Sequence, residues 1–159
     1  MATTSPLRGT ATALTFIAGD STLAAAAYAV SSAVDTLTLG SGGIAADDAV
    51  VTLSVGIAAT AVAGDPINLF VLSSIDGTTF SDAPADASTD ATHDSNMQFL
   101  DALLVPSAAA QTLVLPLQSV APLFGGKLPP YIKIVVFNGS GAAFTSLAGT
   151  IQGLNETVA

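Results

Sequence analysis

The chain has 159 residues, about one domain's worth, and is long enough to bury a real core without staples. It has no cysteine, which excludes disulfides and thiolate metal sites. Twelve acidic residues against Arg8, Lys127 and Lys133 give a net charge of −9. That excludes the clustered cations a nucleic-acid surface needs and sets the chain against an anionic membrane.

Only 9% of residues are charged, against about 25% in an ordinary soluble domain, while 50% are hydrophobic. The apolar residues come in short runs, the longest being residues 23–30, well under the ~18 that would suggest a membrane span. So little charge implies that much of the surface lies against protein partners, including further copies of the chain as a homodimer or homotrimer.

Residues 1–33 read as an N-terminal arm that orders on a neighbour. Gly9, Thr10, Thr12, Thr15 and Asp20 interrupt any apolar signal core, so no secretory signal is expected. Residues 11–17 could form a strand. Residues 21–33 fit either a helix capped by Asp20 or Ser21, or an extended run. Residues 36–39 alternate as a strand, ended by Gly40, Gly42 and Gly43.

Residues 49–58 carry the cleanest period-two signal, with Val51, Leu53, Val55 and Ile57 on one face. Residues 67–74 alternate with apolar residues on both sides: Ile67, Leu69 and Val71 on one, Phe70 and Leu72 on the other. That predicts a strand covered on both faces. Asp76-Gly77 supplies a turn after it. These two runs are adjacent and could pair as a hairpin.

Residues 81–96 are small, polar and acidic and read as a surface excursion. Residues 98–105 return to strand pattern, ending at Pro106. Residues 111–117 put Leu113, Leu115 and Leu117 on one face, and Pro116 places that strand at an edge or ends it early. Residues 131–138 form a strand with Ile132, Ile134 and Val136 inward and Lys133 outward. Asn138-Gly139 is a hairpin signal leading into residues 142–151. Six to nine short strands with turns between them predict an all-β fold. The form is an antiparallel β-sandwich or jelly roll spanning residues 34–153, with a C-terminal tail at 154–159.

Little of the sequence carries chemistry. His93, the single histidine, sits beside Asp94 in the most loop-like segment, with no nucleophile elbow, and reads as a solvated loop residue. Asp82, Asp86, Asp90 and Asp94 recur every four residues, but on a helix they would stack like charges, and their spacing fits no calcium-loop motif. They read as solvated loop carboxylates. Asp47-Asp48 reads as an edge or loop charge rather than an acid–base pair. Gly40, Gly42 and Gly43 lack the phosphate-cradle pattern. Asn138-Gly139-Ser140 and Asn155-Glu156-Thr157 match glycosylation acceptors by chance. No catalytic, metal or cofactor-binding residue is predicted, and the chain reads as a non-enzyme.

The order of segments carries a resemblance. It runs through Ser31-Ser32-Ala33-Val34-Asp35, Val50-Val51-Thr52-Leu53-Ser54-Val55, residues 67–80 with the turn Ser74-Ile75-Asp76-Gly77-Thr78, and Ala109-Ala110-Gln111-Thr112. The strand entry Leu128-Pro129-Pro130-Tyr131, leading to Asn138-Gly139-Ser140-Gly141, completes it. Over residues 31–153 this resembles small virion structural proteins of tailed bacteriophages, of the jelly-roll cement or decoration type that sits on capsid shells. The resemblance implies a protein of the capsid exterior, assembled in the host cytoplasm, that binds the major capsid protein and stabilises the head. It carries over no catalytic residue. Two other readings stand beside it: a tail, neck or fibre component of such a virion, and a carbohydrate-binding β-sandwich module. The second is weakened by the absence of Trp and by the hydrophobic settings of Tyr28 and Tyr131.

Overall fold

A computed structural model describes residues 7–16, 22–40, 45–81, 83–89 and 97–155. Ten strands are present among them: β1 Leu7–Arg8, β2 Thr12–Ala13, β3 Tyr28–Val30, β4 Val34–Asp35, β5 Asp48–Ile57, β6 Pro66–Ser74, β7 Gln98–Leu104, β8 Gln111–Ser119, β9 Tyr131–Asn138 and β10 Phe144–Asn155. Two short 3-10 turns lie at Thr36–Thr38 and Ala121–Phe124. The strands build two antiparallel sheets. The first has the order β1-β10-β5-β8, with β2 also on β10. The second has the order β3-β9-β6-β7, with β4 also on β9. The chain is therefore an all-β sandwich, and its alternation between the sheets is that of interlocked Greek keys, a jelly roll.

The core forms where the period-two runs meet. Val51, Leu53, Val55 and Ile57 of β5, flanked in their own sheet by Leu115 of β8 and Phe144 and Ile151 of β10, face Ile67, Leu69 and Val71 of β6 and Ile132, Ile134 and Val136 of β9 across the sandwich. The two-sided pattern of β6 also holds. Leu72 packs with Tyr28, Val30, Met97 and Val135 in a second cluster on the outside of the second sheet, against Phe70, Phe80, Ala83 and Phe137.

Both expected hairpins are corrected. β5 and β6 lie in different sheets, as do β9 and β10. Each strand buries one face in the shared core, so consecutive strands are best placed facing each other across it. The Asn138-Gly139 signal marks an arch between sheets instead. Of the connections between neighbouring strands of β5 to β10, only β6–β7 stays within one sheet.

The N-terminal segment also differs from an arm reaching to a neighbour. β1 and β2 pair with β10, and β3 pairs with β9. Phe16 bridges to Ser31, and the Ser31 hydroxyl accepts the Ile134 N–H at 2.9 Å. Tyr28, Ala29 and Val30 are buried because their side chains fill both faces of the second sheet. Residues 36–39 form the 3-10 turn rather than a strand. Asp35 Oδ1 accepts the Leu37 N–H at 3.0 Å, and the Thr36 N–H is drawn to the Pro130 carbonyl at 3.0 Å. The expected tail begins too early, since Leu154 and Asn155 are the last residues of β10. The possible helix caps Asp20 and Ser21 lie outside the described residues.

β8 is an edge strand, as Pro116 requires. Val51 pairs with Gln118 and Leu53 with Leu115, which leaves one extra residue on β8 at Pro116-Leu117. This bulge breaks the expected apolar row: Leu115 is buried, but Leu117 is 52% exposed.

Candidate functional site

The sequence-derived candidates that fall among the described residues do not converge on a reactive centre. His93, Asp82, Asp90, Asp94, Gly42 and Gly43 lie outside the described residues, and Gly40 sits in a bend. Among the described residues no group of three or more acidic or histidine side chains is placed to hold a metal.

Asp86 is not a solvated loop carboxylate. Its Oδ1 accepts the Val30 N–H at 2.9 Å, the Tyr28 N–H donates to the Ser88 carbonyl at 2.9 Å, and the Ala87 N–H donates to Tyr28 at 2.7 Å. Residues 85–88 thus line the free side of β3, with Ala87 at φ +57° to make the corner. Pro84 is buried there.

Asp48 is likewise structural. Oδ1 accepts the N–H groups of Ala49, Val120 and Ala121 at 2.7, 3.2 and 2.8 Å, and Oδ2 accepts the Ser119 hydroxyl. The carboxylate ties the start of β5 to the end of β8. Asp47 is exposed beside it, its N–H donating to Leu154.

Among the described residues, Asp76 carries the strongest electrostatic perturbation. The N–H groups of Thr79 and Thr78 each donate to Oδ1 at 2.8 Å, the Ser74 hydroxyl at 2.9 Å, and the Thr79 hydroxyl to Oδ2 at 3.0 Å. These donors hold its pKa well below the usual carboxylate range. A shallow depression beside it is lined by Ser73, Ile75, Thr79, Ser81 and Pro129. The carboxylate is already engaged by donors from its own turn, so it serves that turn.

Asn138, within one of the two glycosylation-like triplets, is fully buried. Its amide donates to the carbonyls of Leu23, Ala24 and Ala142 at 3.0, 3.0 and 2.9 Å, and its Oδ1 accepts the Ser140 N–H and hydroxyl at 3.1 and 2.7 Å. It fastens the arch between the sheets.

What the fold does bring together is an absence of charge. The first sheet holds two ionisable side chains, Arg8 and Asp48, and both pair with Leu154 at the same end. Beyond them its outer face is laid out in rows. Thr112, Gly56 and Ser146 form one, Val114, Ser54 and Ala148 the next, and Thr52, Thr150 and Ala13 a third. In sequence, no charged residue falls between Asp101 and Lys127. The second sheet and its connections carry Asp35, Asp65, Asp76, Asp86, Asp101 and Lys133, and the Lys133 ammonium lies 4.6 Å from the Phe80 ring centre.

The chain matches no protein-family model and no curated protein.

The partition was half visible in sequence. The low charge was plain, but its confinement to one sheet depends on which strands pair. Of the aromatics weighed for carbohydrate stacking, Tyr28 is buried and Tyr131 lies half-buried against Gly77, where an added Cβ would come within 2.9 Å of its ring.

Proposed function

We propose that this chain is a structural protein of a tailed-phage virion, a cement or decoration subunit that binds the major capsid protein on the outside of the head. The observation that supports this reading most is the partition of charge on a jelly roll: one neutral sheet suited to contact, and a second sheet whose connections are acidic. A subunit fixed between neighbours needs the first, and a surface facing solvent benefits from the second. The acidic side also disfavours the interior, where packaged DNA would repel it. Affinity would come from burying apolar and small side chains, worth about 2.5 kcal/mol per 100 Å² of apolar surface before association costs. Repetition over a shell adds avidity to weak single contacts.

The test is to mix the purified chain with empty phage heads and with isolated tails and to sediment both. Saturable co-sedimentation with heads, and regular density over the shell by electron microscopy, is the expected result. Density confined to the axis would move the protein to the tail or neck. A chain that ignores heads and tails alike would overturn the reading.

A further inference from the structure

We infer that the outer face of the first sheet is a self-association surface whose occupant is the same face of a second copy of this chain. The ground is electrostatic, and the neighbour that covers the neutral face invoked above is then a second copy of this chain. A molecule of net charge −9 meets its own copy at a cost wherever acids oppose acids. The second sheet imposes that cost, because β4 and β7 carry Asp35 and Asp101 and the turn after β6 carries Asp76, so two copies meeting there would bring acids together. The face bearing Thr52, Ser54, Val114, Ala148 and Thr150 imposes none, since the ionisable residues of its sheet, Arg8 and Asp48, are confined to one end.

Two further features favour contact. Val114 and Leu117 stand 62% and 52% exposed along the β8 margin, giving apolar area that a second copy would cover. The hydroxyls of Thr52 and Thr150 already bond each other at 2.6 Å, which lowers the cost of removing them from water. The side chains in the middle of the face are short, so two such sheets can close on each other at the ordinary face-to-face spacing of about 10 Å. Extension of the sheet edge to edge is the poorer geometry. Pro116 and the bulge interrupt the free edge of β8 midway, and such interruptions blunt edge pairing. One patch meeting itself about a twofold axis gives a closed dimer.

Sedimentation equilibrium of the full chain tests this. The wild type is expected to be dimeric at micromolar concentration. Ala148→Glu, which brings carboxylates together at the contact, should weaken the dimer on the order of 100-fold with an unchanged circular dichroism spectrum. Val114→Asp provides a second site should Ala148→Glu fail to fold. Leu104→Glu, equally exposed at 64% but on the other sheet, should leave the dimer intact. A wild type that stays monomeric to about 100 µM overturns the inference. So does a dimer indifferent to both first-sheet variants, or one disrupted as strongly by Leu104→Glu.

Discussion

Single residues in this protein work mainly as hydrogen-bond hubs for turns. Asn138 satisfies three carbonyls and one neighbouring residue from inside the core. Asn138→Ala should strand several of those groups and cost about 3 kcal/mol, read as a lowered denaturation midpoint at unchanged slope. Asp76 offers a pH test. Its folded pKa lies below the unfolded value, so its contribution is fully present above the ordinary carboxylate pKa of about 4 and is lost as pH falls through the folded value. The wild type should therefore be more stable than Asp76→Asn at neutral pH, with the gap narrowing only as pH drops below about 4. Equal acid sensitivity of the two proteins in urea titrations would count against it. The Asp-Gly turn itself was legible in sequence, because only the side chain and φ of two adjacent residues decide it; Gly77 sits at φ +73°. The role of Asn138 was not legible, since its partners Leu23 and Ala24 are over a hundred positions away.

Elements were easier to find than to pair. β5, β6 and β9 stand out in sequence because alternation is a local property, and the inward rows at residues 51–57 and 132–136 fall where that alternation puts them. Pairing is nonlocal, and the Asn-Gly dipeptide after β9 carries no information about which sheet comes next. β3 was hidden for a similar reason: Tyr28–Val30 is three residues long, and only β9 on one side and residues 85–88 on the other make it a strand. β6 supplies the prediction at this scale. Val71 is buried between the sheets and Leu72 on the far side, beneath Phe80 and Ala83. Leu72→Ala should cost about 2–4 kcal/mol, as much as a substitution in the inter-sheet core. A cost under about 0.5 kcal/mol, typical of a surface position, would show that the outer cluster is not a second core.

For the whole molecule, composition announced scarcity of charge but not its geography. Among the described residues the strand order leaves the first sheet with Arg8 and Asp48 at one end, beside Asp47, while Asp35, Asp65, Asp76, Asp86, Asp101 and Lys133 lie on the second sheet and its connections. This makes a specific claim about salt. Copies joined through a neutral surface still repel through their remaining acids, so raising ionic strength from about 0.01 to about 0.1 M, which shortens the Debye length from about 30 to about 10 Å, should tighten the dimer. Weakening over that range would indicate contacts made by ion pairs instead.

The arches between sheets also govern how the chain must acquire its shape. Because β5 does not pair with β6 in one sheet, nor β9 with β10, a newly released polypeptide has few short-range steps to bank, and distant segments must find one another before anything is secure. Refolding from denaturant should accordingly take milliseconds to seconds, visible by stopped-flow fluorescence of Tyr28 and Tyr131. Throughout that interval the bare strands β5, β8 and β10 stand open to strangers, so dilution and a crowded nursery of correct neighbours would matter more to yield than the final stability does.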